Sequence, residues 1–257
     1  MSQAWMIASG KGGVGKSTIT AALAVALARR QLQTVAVDTD IGLRSLDMLL
    51  GLQNQIVYDV IDVANKDCKL KYALVQYPLS PSLSLLPASQ LGTSGDLDPD
   101  VMGRIVNKLK KRFSYVLMDA PAGLERGVTN TMQHADHTLL VVTPDDVSIR
   151  DAERVIALLE HHHKPRPMLL VNRVIPAMVA DGEMYSPQTV ANALDIPLLG
   201  FVPEDRAVLT ALQRHHTVMD EEGPARDALT RISQRFLGEY VPMPAFTRRR
   251  GWFGRRG

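Results

Sequence analysis

Gly10-Lys11-Gly12-Gly13-Val14-Gly15-Lys16-Ser17-Thr18 decides how this chain is read. The spacing fits G-x-x-x-x-G-K-[ST], a phosphate-binding loop. An apolar strand candidate at residues 5–8 precedes it and a helix candidate at 16–30 follows, the context this motif needs. Glycines let backbone N–H groups turn inward around phosphate oxygens, and the helix N-terminus adds the positive end of its dipole. Gly10, Gly12, Gly13, Val14, Gly15 and Thr18 are therefore expected to line a phosphate cradle. Lys16 should reach the β- and γ-phosphates and Ser17 should ligate Mg²⁺. ATP and Mg²⁺ are the expected cofactors.

Outward from this loop, apolar runs alternate with amphipathic helical stretches. Strands are expected at 5–8, 34–37, 83–86, 115–118, 138–142, 168–171 and 199–202, and helices at 16–30, 99–111, 147–162, 187–193 and 226–240. Several strands are apolar on consecutive residues, the mark of burial on both faces. The alternation predicts an α/β fold, a doubly wound and mainly parallel sheet flanked by helices. We expect one ATPase domain over residues 1–241, then a linker and tail over 242–257.

Acids fall where such a sheet binds ligands. Val35-Ala36-Val37-Asp38-Thr39-Asp40 places two at the carboxyl end of the second strand. Two residues apart on an extended segment, they point the same way, and their repulsion favours a nearby cation or a positioned water. Tyr115-Val116-Leu117-Met118-Asp119 reads as a Walker B strand ending in its acid, with Asp119 holding a Mg²⁺-bound water. Asn172 ends another apolar strand, and its amide can pair with the donor and acceptor edge of adenine.

The stretch K-G-G-V-G-K-S at 11–17 resembles the deviant Walker A motif of the MinD/ParA family of dimerising ATPases. Residues 38–47 resemble the family's switch I, with Ser45 where asparagine is commoner. Residues 119–125 resemble its switch II, with Ala120 in place of serine. The resemblance runs from Trp5 to about Tyr240 and implies a P-loop NTPase fold of the SIMIBI kind. It implies that Lys11 crosses a dimer interface to the partner's nucleotide and that Asp40 positions the attacking water. It also makes Asp38 a Mg²⁺-side acid and lets Gly123 flip its peptide towards a γ-phosphate. Asn172, with Pro203 and Asp205, would contact the base. Lys11, Lys16 and Asp40 are thus the expected catalytic residues, and Ser17, Asp38 and Asp119 the expected metal ligands.

The same resemblance implies an ATP-dependent homodimer, held peripherally on the inner face of the cell membrane, that helps position the division site. A MinC-like division inhibitor and a MinE-like activator would be its partners. Alternatives are a flagellar-number ATPase of the FlhG type and a ParA-like DNA partition ATPase.

Charge bears on that choice. The formal net charge is +2, yet the last twelve residues carry five arginines and no acid, so without them it is −3. A slightly acidic body disfavours nucleic acid, whereas a basic tail with aromatics suits an anionic membrane surface. Phe246, Arg249, Arg250, Trp252 and Phe253 are the expected membrane contacts; Gly251 and Gly254 weaken any helix there. One cysteine, Cys68, excludes an intrachain disulfide and a multi-cysteine metal site within one chain. The N-terminal stretch lacks the pattern of a secretory signal, so a reducing cytoplasm is expected.

Overall fold

The computed structural model describes residues 2–92, 97–123 and 126–246. Its strands are β1 (Gln3–Ala8), β2 (Thr34–Asp38), β3 (Val75–Gln76), β4 (Leu83–Leu86), β5 (Tyr115–Asp119), β6 (His137–Val142), β7 (Met168–Val174) and β8 (Leu198–Pro203). The helices are α1 (Lys16–Arg29), α2 (Leu46–Leu49), α3 (Val60–Asn65), α4 (Leu70–Ala73), α5 (Pro99–Lys110), α6 (Arg126–Gln133), α7 (Asp146–His161), α8 (Pro176–Asp181), α9 (Pro187–Leu194), α10 (Arg206–Gln213) and α11 (Pro224–Phe236). Among the described residues the strands form one sheet, ordered β3-β4-β2-β5-β1-β6-β7-β8. Every pairing is parallel except β3 with β4. The expected doubly wound sheet is present, with β3 as a short antiparallel addition at one edge.

Alternation along β1 divides the core. Ala4, Met6 and Ala8 face a cluster completed by α5, α6, α7 and α9, while Trp5 and Ile7 face one completed by α1, α2, α10 and α11. Helix α1 departs from the amphipathic expectation, since eleven of its fourteen residues are buried. Its alanines 21, 22, 24, 26 and 28 have no bulk to hold it away from the sheet, so it packs into the centre of its layer. That fixes the phosphate loop at the helix's N-terminus rigidly against the middle of the sheet.

Local chemistry sets the other helix starts. Asp98 caps α5 ahead of Pro99, Ser186 caps α9 ahead of Pro187, and Asp205 caps α10. In each a side-chain oxygen accepts N–H groups that the first turn leaves unpaired, and proline suits a position that needs no donor.

Beyond α11 the described chain touches the edge of the sheet. Arg235 donates to the carbonyls of Val241 and Pro242 and to Leu199 O of the edge strand β8. The Phe246 ring lies 4.9 Å from that of Phe201, tilted by 32°. These contacts involve residues on both sides of 241/242. Phe246, expected among the membrane contacts, packs on Phe201 in this structure, as an apolar ring gains by leaving water. Arg249, Arg250, Trp252 and Phe253 lie outside the described residues. No described helix is long and apolar enough to cross a membrane.

Candidate active site

The loop between β1 and α1 owes its shape to close approaches that only glycine permits. A Cβ on Gly10 would lie 2.4 Å from the backbone of Asp151, so the loop sits directly on α7. Gly15, the N-cap of α1, has φ 93°, and its missing Cβ leaves room for the Asn172 amide, which would stand 2.4 Å away. Asn172 uses that approach to donate from Nδ2 to Val14 O at 2.8 Å.

Beneath the loop lies a buried knot. Lys16, only 6% exposed, donates to Asp119 Oδ1 at 3.0 Å, and the Thr20 hydroxyl donates to the same oxygen at 3.0 Å. Asp119 Oδ2 is buried without a hydrogen-bond partner among the described residues. An acceptor-only oxygen left unpaired in the interior is costly, and a cation or its bound water would satisfy it. Ser17 lines the cleft above. Ser17 with Asp119 therefore fits the oxygen-ligand chemistry of Mg²⁺.

Asp38 stands beside Asp119 because β2 and β5 pair these two residues in register. Its Oδ1 accepts from Asp40 N at 3.0 Å, and its Oδ2 from Ser45 N at 2.9 Å and Leu46 N at 3.1 Å. Asp38 thus organises the 40–46 turn, and Asp119 carries the open oxygen. Complete burial and the neighbouring Asp119 push the Asp38 carboxyl up to about 7, against the pull of the backbone N–H groups and Lys16. A divalent cation would relieve that pair.

The cleft, about 490 Å³, is lined by the loop, Asp40, Leu43, Ser45, Met48, Ala122, Arg173 and Leu212. Asp40, the expected water-positioning acid, is therefore on its wall. Gly123 has φ 87° and donates its N–H to Ser9 O, so the switch II glycine is tied to the strand that leads into the loop. The next two residues lie outside the described residues. A second pocket, contiguous through Gly15 and Thr18, is lined by Asn172, Pro203 and Asp205, the three residues expected at the base. Asp205 also ties that pocket's loops: Oδ1 accepts from Ala207 N and Oδ2 from Ala225 N at the start of α11.

Lys11 is placed differently from the other loop residues. Its ammonium meets Asp145, 3.1 Å from Oδ1 and 3.4 Å from Oδ2. Three residues here were not picked out by sequence: Asp145, Thr20 and Arg173. Thr20 was within reach of reasoning, since it lies four residues after Lys16 and so shares its helix face. Arg173 borders both pockets and has φ 58°, at a bulge where β7 slips against β8.

Residues 5–218 match the family described as the CobQ/CobB/MinD/ParA nucleotide binding domain. The septum site-determining protein MinD of Helicobacter pylori is 43% identical, over 96% of this chain and 95% of that protein. MinD of Bacillus subtilis is 40% identical over 95% and 92%. The fold superposes on the MinC:MinD cell division complex of Aquifex aeolicus with TM-score 0.88 at 37% identity, covering 95% of this chain and 99% of that one. It superposes on Pyrococcus horikoshii MinD complexed with Mg-ADP with TM-score 0.83 at 26% identity, covering 92% and 96%.

Proposed function

This chain belongs to the CobQ/CobB/MinD/ParA family as a MinD-type cell-division ATPase, and we propose that it works as a nucleotide-driven spatial switch. ATP would drive two copies together, the pair would hold the membrane through two tails, and hydrolysis would release it. The observation that carries the reading is the two-lysine loop: Lys16 is buried on Asp119 beneath the cleft, while Lys11 is turned away from that knot.

Mg²⁺ would be held by Ser17 and Asp119 with Asp38 behind them, and with ATP it supplies the charge that the transferring phosphoryl group needs. Lys16 offers its ammonium to the β- and γ-phosphates. Asp40, on the cleft wall, orients the attacking water. Gly123, held to Ser9 by one N–H, has the left-handed freedom to turn its peptide when a γ-phosphate competes for that donor. Asn172, Pro203 and Asp205 shape the base pocket.

Support for self-association comes from the rim of the cleft, where Leu43 is 74% exposed and Met48 and Leu212 are each over 40% exposed. Apolar side chains around a charged cleft suit a second copy of the same face. A MinC-like inhibitor is the partner we assign, following the MinC:MinD complex of Aquifex aeolicus; a MinE-like activator rests on the family resemblance alone.

The first test is turnover. Lys16→Ala should lose ATP hydrolysis by at least about a hundredfold, because the phosphoryl group loses its nearest cation. Wild-type turnover in that variant would end this reading of the loop.

A further inference from the structure

We propose that Asp145 is a positioning residue that parks Lys11 on its own subunit and so restrains dimerisation until nucleotide binding makes release favourable. This rests on the reading that Lys11 acts across a dimer and adds to it what holds Lys11 beforehand.

Asp145 is built for the task. It is the N-cap of α7 and accepts from Ser148 N at 2.9 Å, from the Thr143 hydroxyl at 2.5 Å and from Lys11. The Ser148 hydroxyl in turn accepts from Thr143 N, closing a small ring of bonds around the carboxylate. Burial pushes the Asp145 carboxyl up, but the Thr143, Ser148 and Lys11 donors outweigh it and hold the group below the usual carboxylate range. It is therefore ionised at neutral pH. Lys11 lines both the nucleotide cleft and the adjoining cavity that contains Thr143 and Asp145, and its ammonium is on the Asp145 side. Gly10, one residue earlier, is pressed on the α7 backbone at Asp151, so the lysine starts from a fixed point. The two positions of Lys11 exclude one another. To reach a second copy's phosphates, its ammonium must leave Asp145.

The magnitude follows from exposure. The side chains of the pair are 33% and 46% exposed, and such ion pairs shift an equilibrium by about 1.5- to 5-fold. A symmetric dimer releases two of them, so the association constant carries the square, about 2- to 25-fold.

The test is ATP-dependent dimerisation by light scattering at low and high salt. Asn and Ser are also good N-caps, so Asp145→Asn and Asp145→Ser remove the charge while keeping α7 capped. Both should dimerise more tightly than wild type with Mg²⁺-ATP, by about 2- to 25-fold at low salt. The gap should narrow at high salt, where a half-exposed pair is screened. Asp145→Glu keeps the charge and should stay near wild type. Lys11→Ala/Asp145→Asn should be as defective as Lys11→Ala alone. If Asp145→Asn and Asp145→Ser dimerise no better than wild type while Lys11→Ala fails, the restraint is refuted and the trans role of Lys11 survives. If Lys11→Ala dimerises normally, the underlying reading fails instead. A gain in both uncharged variants that ignores salt and is shared by Asp145→Glu would mean a general loosening of α7, and would overturn the proposal.

Discussion

Asp38 is the residue whose chemistry most depends on what fills the cleft. Without a cation its carboxyl sits at about 7, against 3.8 for an ordinary aspartate. The sign follows from proton counting. Between about pH 4 and 7 the folded protein holds a proton that the unfolded chain has released, so stability falls as pH rises through that window. The contribution is fully present below about pH 4 and gone above about pH 7. Urea unfolding with chelator and without nucleotide should therefore show a midpoint that drops from pH 5 to pH 8. Asp38→Asn, though weaker overall because it gives up an acceptor to the 40–46 turn, should show a smaller drop. An equal drop in both proteins would assign the effect to other groups.

At the scale of elements, the contact between the phosphate loop and α7 is the joint that matters. Gly10→Ala would put a methyl group 2.4 Å from the Asp151 carbonyl carbon and oxygen, and backbone there cannot move without moving the helix. We expect a loss of about 2–4 kcal/mol in stability, from overpacking against rigid atoms, together with weaker nucleotide binding. Thermal unfolding and a nucleotide titration check it; a Tm within a degree of wild type would show the joint to be soft.

The strands were readable because buried parallel strands are apolar on consecutive residues, as in Leu139–Val142 and Leu169–Val171. Val75–Gln76 and Leu70–Ala73 were not, being too short to display any period. The strand–helix alternation predicts an amphipathic α1, yet its alanine-rich sequence lets nearly every face be buried. The cradle was legible because its glycines and Lys16 are contiguous. Asp38 and Asp119 were found singly, but their adjacency comes from strand register. The partner of Lys11 was beyond reach: Asp145 is 134 residues away and reads as an ordinary helix cap. The Phe246 contact with Phe201 was hidden likewise, since the aromatic alone suits either a membrane or a protein surface.

At the scale of the whole molecule, the proposed switch ties nucleotide state to location. In the proposed switch, a single tail, with its five arginines, Trp252 and Phe253, would bind anionic lipid only weakly. Two tails on one dimer would act through effective concentration and raise affinity by about 10²–10⁴-fold. Co-sedimentation with phosphatidylglycerol-rich vesicles should therefore need ATP, weaken with salt, and vanish in Trp252→Glu/Phe253→Glu; equal binding with ADP and ATP would break the coupling.

Beneath this lies the claim that ATP changes the number of subunits through Lys11. The direct measurement is the mass in solution with Mg²⁺-ATP and with Mg²⁺-ADP, by light scattering, for wild type, Asp40→Ala and Lys11→Ala. Asp40→Ala, unable to orient the attacking water, should stay at twice the 28.3 kDa chain mass in ATP and return to one chain in ADP. Lys11→Ala should remain at one chain in both. A single-chain mass for Asp40→Ala in ATP, or a stable dimer of Lys11→Ala, would contradict that claim.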